Sequence, residues 1–517
     1  MSFCGQCGES ASAGAKFCRG CGAPLGGVES KSARPGSRSP SAPRSLPRST
    51  SARAKPARTG EAPCLIVVAE GTNRELLNTI RQLRPRDEVV RVPARGGLRT
   101  IQKTLASRQR SGRRPAAVCL LGPVSSLPPV EVEDLTGMDE SVLTDNPYGS
   151  SQPFDADNPA TWLPEIPVGR IPTDDVELAS RLLAVQDDLC GSWDNSLAVS
   201  ASVWRDASEG VLETCLASDV LLETSPEVDH DILEERTGSP QGRLYFNVHG
   251  SDMEPDWYGE GDWEQPVVLT PTTLTYDDNA ILVSEACYGA TQLFENESMS
   301  QVFLRNGGSC FIGSSIIAWG PPVAPIGQAD IIAAESFRHL DAGATAAEAL
   351  LRAKHAVLEY STEEDEPTPP AVLNTVLSFT LLGPPWARVS SEGTPQGETV
   401  LDRVRRQMNA APGEDDSLLG QLRARIAERL PASLASALRR VPLDASSLSD
   451  QFENSSEIEK VLGLEESTFQ HAVSTTLNVQ NKQLMFVAAR HQHKNFSSFR
   501  GAVVESSGRM AHVYHSK

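Results

Sequence analysis

Short apolar runs alternate with amphipathic stretches over most of this chain. Residues 63–68 (Pro-Cys-Leu-Ile-Val-Val), 88–92, 116–121, 197–204, 244–248, 281–284, 310–313 and 375–382 are apolar and rich in β-branched or aromatic side chains. That is the pattern of strands buried on both faces. Residues 74–83, 176–189, 298–306, 329–340 and 346–360 instead space their apolar positions along one face of a helix. Strand alternating with helix predicts an α/β body over residues 62–390, with helices covering a parallel sheet. The acidic, proline-rich stretch 131–167 interrupts this alternation and reads as a loop region.

The pattern changes outside the body. Residues 27–61 are mostly Ser, Pro, Arg and Ala, too poor in large apolar side chains to offset the entropy of ordering, and read as a disordered basic tether. Residues 391–415 read as a polar linker. From 416 to 517, Leu419, Leu422, Ile426 and Leu430 keep a helical period that Pro431 breaks. Helical patterns at 458–462 and 468–473 and strand-like runs at 482–489, 500–505 and 510–514 follow, predicting a small α+β module.

Charge adds an asymmetry. The net charge is −20, and residues 1–60 hold ten lysines and arginines against Glu9 and Glu29, so the remainder carries −28. An acidic body repels nucleic acid, while a basic arm attracts nucleic acid or the body itself. No apolar run reaches membrane-spanning length, and Met1-Ser-Phe-Cys4 does not open a charged-then-apolar signal segment, so the expectation is a cytoplasmic protein. Of ten cysteines, Cys64, Cys119, Cys190, Cys215, Cys287 and Cys310 are scattered without regular spacing, which suits a reducing compartment.

The other four are not scattered. Cys4-Gly-Gln-Cys7-Gly8 and Cys18-Arg-Gly-Cys21-Gly22 are two CxxCG knuckles ten residues apart. Each glycine eases the turn that aims two thiolates at one ion, and four thiolates close a tetrahedral shell with no position open to water. Residues 1–26 therefore predict a zinc ribbon holding one structural Zn2+ through Cys4, Cys7, Cys18 and Cys21.

Two body strands end in reactive residues: Leu244-Tyr-Phe-Asn-Val-His249-Gly250-Ser251 and Ile281-Leu-Val-Ser-Glu285-Ala-Cys287-Tyr-Gly289. A lone buried cysteine is usually a small hydrophobe, and a lone histidine usually structural. Both at strand ends in one α/β sheet, each beside a glycine, fit the thiol and imidazole of a cysteine hydrolase. Glu285, two residues before Cys287, falls on the same strand face.

These residues, with Trp257, Phe311-Ile-Gly313-Ser-Ser315, Trp319-Gly320, Leu382-Gly383, and the earlier Asp145-Asn-Pro-Tyr148-Gly149 and Pro164-Glu-Ile-Pro-Val-Gly169-Arg170-Ile171-Pro172, resemble the gingipain family of caspase-like cysteine peptidases. The resemblance spans roughly residues 63–389 and implies a caspase-like α/β/α peptidase body. It implies Cys287 as nucleophile, His249 as its base and then the acid to the leaving amine, and the backbone N–H groups of Gly250 and Cys287 as oxyanion donors. It also implies an acid near the end of the strand at 197–204. Trp204 stands there, Asp206 and Glu209 lie just beyond, and Asp206 is the candidate third member. Trp319 is expected to bind substrate. Relatives that cut after Arg or Lys carry a pocket carboxylate, and Pro321 and Pro322 fill one of its two places. Glu209 and Glu213, with Asp219, are candidates for the other, so a preference for basic residues is favoured weakly.

The expected function is an intracellular cysteine endopeptidase acting on protein or peptide, regulated by a protein partner through the ribbon or the C-terminal module. Self-cleavage in the arginine-bearing tether and a setting in bacterial defence are part of the same reading. The competing reading is a catalytically silent adaptor or nucleic-acid-responsive regulator working through the ribbon and tether.

Overall fold

The computed structural model describes Ser2–Phe3, Ser10–Ala11, residues 62–389 apart from 94–95, 156–160, 216–219, 238, 261–264, 292–297, 322–325 and 361–368, the strand Arg439–Leu443, and residues 455–516 apart from 480–481 and 506–508. The tether, the linker and the amphipathic pattern at 419–430 lie outside the described residues. The chain divides into a unit over residues 1–53 and another over residues 54–517. In the first, Ser2–Phe3 pairs antiparallel with Ser10–Ala11.

The second unit is built on ten strands: β1 (Leu65–Ala69), β2 (Glu88–Val92), β3 (Val118–Leu121), β4 (Val168–Ile171), β5 (Ser196–Ala201), β6 (Leu222–Ser225), β7 (Gln241–Asn247), β8 (Tyr276–Ser284), β9 (Cys310–Ser314) and, after the two-residue strand β10 (Trp319–Gly320), β11 (Phe379–Leu382). Their order in the sheet is β6-β5-β7-β8-β9-β11-β4-β3-β1-β2. Neighbours are parallel except at β9 and β11, where Phe311 faces Leu382 and Ser314 faces Phe379 in antiparallel register. The sheet is thus two parallel halves of five strands whose carboxyl ends point to opposite edges.

Alternating side chains serve the two faces. Tyr245, Ile281, Val283 and Ile312 pack with the helices Arg205–Thr214, Gln328–Asp341, Ala346–Tyr360 and Pro370–Ser378. Leu244, Phe246, Leu282 and Phe311 pack on the other side with Arg74–Leu83, Val176–Ala184 and Met299–Arg305. Each fully buried side chain of this kind contributes roughly 1.5–3 kcal/mol, so the predicted α/β body with helices on both faces is what forms.

Several expected elements differ. The stretch 131–167, read as a loop region, holds the antiparallel strands Val130–Glu133 and Ser141–Thr144. The run at 375–382 divides into the helix Pro370–Ser378 and β11, because Pro369 and Pro370 start a helix whose every side is buried, leaving no amphipathic period to read. The strand expected to reach 204 stops at Ala201; a short 3-10 turn follows, then the helix Arg205–Thr214. Residues 468–473 are not helical but lie in the strand Phe469–Val479, where antiparallel pairing with Lys482–Gln492 overrides the local spacing.

The C-terminal module is an antiparallel sheet of β12 (Arg439–Leu443), β13 (Phe469–Val479), β14 (Lys482–Gln492), β15 (Ser497–Glu505) and β16 (Met510–Ser516), with the helix Ser455–Leu462 packed on it. Its sixth strand is β10 of the peptidase body: the order is β10-β16-β15-β14-β13-β12.

Buried charge marks the second half of the sheet. Arg170 on β4 donates two hydrogen bonds to Asp145, at 2.8 and 2.6 Å. Lys354 Nζ is buried and donates to Asn146 Oδ1 at 2.6 Å. Burial lowers the Lys354 ammonium to about 7, against the opposing charge of Asp145. Between that value and the ordinary lysine range the unfolded chain holds the extra proton, so this residue's contribution to stability rises as pH rises. Relative to Lys354→Met, the native protein is expected to gain on the order of 2 kcal/mol of unfolding free energy between about pH 7 and about pH 9. Urea titrations of both proteins at the two pH values measure this, and a difference independent of pH would contradict it.

Candidate active site

Register places Cys287 and His249 at one sheet edge. In the parallel pair β7 and β8, Leu244 stands opposite Leu282 and Phe246 opposite Ser284. His249 and Cys287 each lie three residues beyond that last pair, so the two strands deliver them side by side at one sheet edge. The approach is so close that a Cβ on Gly250 would lie 1.8 Å from the Cys287 carbonyl oxygen. Only glycine fits there.

The loop after Cys287 is held from several directions. Tyr288 takes a left-handed conformation (φ 56°), and its N–H donates to the Ile316 carbonyl at 2.8 Å. Its hydroxyl donates to Asp139 Oδ2 at 2.7 Å. Burial raises the Asp139 carboxyl to about 7, although the Tyr288 hydrogen bond works against it. The Ala318 N–H points at Cys287 Sγ, 3.3 Å away, so the chain entering β10 runs directly past that sulfur. Glu285 is buried below the site and accepts from the Tyr245 hydroxyl at 2.7 Å.

His249 is positioned by three groups. Its backbone exchanges two 2.8 Å hydrogen bonds with Tyr258, which folds the next segment back over it. Two residues past Tyr258, Glu260 Oε2 lies 2.6 Å from His249 Nε2. Burial raises the Glu260 carboxyl, but the hydrogen bond and charge of His249, with the charges of His493 and Arg500, outweigh it and hold the group down at about 2. An ionised carboxylate only accepts, so Nε2 carries the proton and donates. In the neutral ring Nδ1 is then the basic nitrogen. Trp204 packs edge-on against the imidazole, ring centres 4.6 Å apart.

Several expected site residues lie elsewhere. Asp206 is exposed in the first turn of the helix Arg205–Thr214; the carboxylate bonded to His249 is Glu260. Glu209 and Glu213 are exposed on the same helix, whose buried face carries Ala207, Ser208, Val211 and Leu212, so neither forms the floor of a pocket. Asp219 and the cysteines Cys4, Cys7, Cys18 and Cys21 lie outside the described residues. Among the described residues no group of three or more His, Cys, Asp or Glu could hold a metal ion. Trp319, expected to bind substrate, follows Ala318 and is fully buried, against Phe486 and Phe499 of the C-terminal sheet. Glu260 escaped the sequence reading because it reaches His249 through a backbone reversal in a stretch without periodicity. The one local signal is Gly259, where a Cβ would fall 1.9 Å from Ser225 Oγ.

A profile of peptidase family C25 matches residues 92–390. The chain belongs to peptidase family C25. It is a cysteine peptidase of the gingipain family, with the mixed α/β fold and large, mostly parallel sheet expected of that family. Three solved structures are similar to it, each with a TM-score of 0.46. One, described as "Structure of Protease", is 11% identical, the match covering 88% of this chain and 97% of that one. The complex of Porphyromonas gingivalis RgpB pro- and mature domains is 10% identical, covering 88% and 99%. The Arg specific cysteine proteinase gingipain R is 11% identical, covering 89% and 99%. No curated protein matches the chain.

Gly250→Ala tests the close approach. The new methyl group collides with main chain rather than a movable side chain, so the variant is expected to lose about 3 kcal/mol or more of stability. Calorimetry measures it, and a melting temperature equal to that of the native protein would show that the strands do not meet this closely.

Proposed function

We propose that this C25 peptidase is an endopeptidase in which Cys287 and His249 are the catalytic dyad and Glu260 orients the histidine. The observation that carries the proposal is the shared register of β7 and β8, which ends both residues at one edge with Gly250 packed on the Cys287 carbonyl. His249 Nδ1, kept basic by Glu260 at Nε2, takes the thiol proton as sulfur attacks the peptide carbonyl. The same proton passes to the leaving amine as the C–N bond breaks, giving a thioester that water hydrolyses. The N–H groups of Gly250 and Cys287 are the proposed oxyanion donors. Glu260 thus takes the part expected of Asp206, reaching the imidazole from a different segment of chain.

A preference for basic residues, and with it cleavage of the arginine-bearing tether, has no support from Glu209 and Glu213, whose side chains face solvent, and rests on Asp219, which lies outside the described residues. The adaptor reading is weakened by an imidazole with a carboxylate at hydrogen-bond distance, which a silent fold does not require.

Two experiments test the chemistry. Cys287→Ala is expected to abolish cleavage of a fluorogenic peptide library at high enzyme concentration; retained cleavage would mean another nucleophile. Glu260→Gln is expected to lower kcat by about 100-fold with a much smaller change in KM, because it disturbs the imidazole and not substrate contacts. An unchanged kcat would remove Glu260 from the mechanism.

The N-terminal unit is proposed to bind one structural Zn2+ through Cys4, Cys7, Cys18 and Cys21. The spacing of the two CxxCG pairs supports this, since four thiolates so spaced close a tetrahedral shell. Metal analysis of freshly purified, reduced protein is expected to find one zinc per chain, and none would refute the ribbon.

A further inference from the structure

The dyad proposed above is shut. His249 and Cys287 are each only 1% exposed, so neither is open to a polypeptide substrate. What covers them is the chain itself. The turn between β14 and β15 lies against the histidine: Phe496 stacks on its ring, centres 4.6 Å apart and planes 26° apart. Phe496 also stacks on Tyr258 at 5.2 Å and on His493 at 4.6 Å. Two hydrogen bonds latch the turn to the body. Ser251 Oγ, one residue past Gly250, donates to the Asn495 carbonyl at 3.0 Å, and the Gln265 amide lies 2.9 Å from His493 Nδ1.

A second contact covers the other side of the site. Ala318 touches the Cys287 sulfur, and β10 follows directly. A strand that starts beside the nucleophile is where an extended peptide would add by main-chain hydrogen bonds. Here β16 holds that place, Ser516 opposite Trp319 and His515 opposite Gly320. Beneath the pairing, Trp319 sits edge-on to Phe486 at 5.8 Å and near Phe499 at 6.3 Å. Leu484, Ala488, Val503 and Tyr514 of the module belong to the same apolar core as the body helices. A continuous apolar junction of this kind holds two modules in one arrangement, unlike the polar contacts that let domains drift.

We infer that the C-terminal module is a built-in plug: Phe496 seals the imidazole, and β16 occupies the strand edge that substrate would use. The inference rests on the Cys287–His249 reading and adds its regulation. The peptidase is then latent in its full-length form and works when a protein ligand of the module, or scission of the chain that joins it, withdraws the turn. The partner class follows from the geometry, since a competitor must offer an extended backbone to β10 or bind the β14–β15 turn more tightly than the site does.

The test uses the full-length chain and two readouts: iodoacetamide labelling of Cys287 followed by peptide mapping, and cleavage of a fluorogenic peptide library. Phe496→Ala is expected to raise both by about tenfold or more over the native protein, the equivalent of about 1.4 kcal/mol of closure lost. Cys119, fully buried among β1, β3 and the outer helices, should stay protected. Faster labelling of Cys119 as well would mean that Phe496→Ala has unfolded, and His493→Ala, which frees the turn from Gln265 without opening a large cavity, then decides. Native-rate labelling of Cys287 in whichever variant keeps Cys119 protected would overturn the plug. Faster labelling of Cys287 with no peptide cleaved would retain the plug and overturn the dyad. A native protein that already cleaves as fast as the variants would retain the dyad and overturn the plug.

Discussion

Gly250 packs its α-carbon against the Cys287 carbonyl, and the site depends on that contact. Two parallel strands in register end their side chains at one edge, but strands alone leave a gap that any side chain at 250 would widen. Glycine closes it. The main chain after β7 can then turn over the nucleophile loop, pair His249 with Tyr258, and bring Glu260 to the imidazole. The left-handed Tyr288 serves the same end from the other strand, turning the chain so that its N–H meets Ile316 and its hydroxyl meets Asp139. Such a conformation costs a non-glycine residue on the order of 1–3 kcal/mol and persists only where the surroundings fix it.

The reversal of strand direction at β9 and β11 decides which half of the sheet holds the chemistry. Ligands in open α/β sheets gather beyond strand carboxyl ends. The first half places β7, β8 and β9 side by side, so His249, Cys287 and the run toward Ala318 share one edge. The carboxyl ends of β11, β4, β3, β1 and β2 face the opposite edge, away from the dyad. Two charged side chains buried in that half are satisfied within the protein: Arg170 on Asp145 and Leu127, Lys354 on Asn146. They tie the segment around Asp145 to the sheet, which suits a structural role better than a second site.

Much of this was legible in the sequence where a single period or spacing carries the signal. The parallel strands are continuous apolar runs, and His249-Gly250 and Cys287 stand at their ends. The helix Pro370–Ser378 was hidden because burial on all sides erases the amphipathic stripe, and Phe469–Val479 because strand pairing outweighed its local spacing. Glu260 was hidden for a different reason. Its place is set by a two-residue bridge between His249 and Tyr258 and by the room at Gly259, neither of which leaves a periodic trace. Asp206 looked suitable by proximity in sequence, yet the chain turns into a helix after Ala201 and carries that carboxylate to solvent.

The role of the C-terminal module was the least legible, because nothing in a strand's own pattern says which edge it will pair with. An unpaired edge is a standing liability that proteins cover. Here β10 offers an edge to β16, and Ala318, the residue before β10, touches Cys287 Sγ. A cover needed only for solubility would have satisfied β10 with backbone alone. This one also inserts an aromatic ring against the His249 imidazole and draws its support from the apolar core under Trp319. Stability of the module and closure of the site are therefore one quantity: whatever loosens Phe486 and Phe499 from Trp319 also loosens the strand edge and the Phe496 seal. On the inference drawn above, that coupling lets the module govern the site with no separate element to carry a signal from it to Cys287.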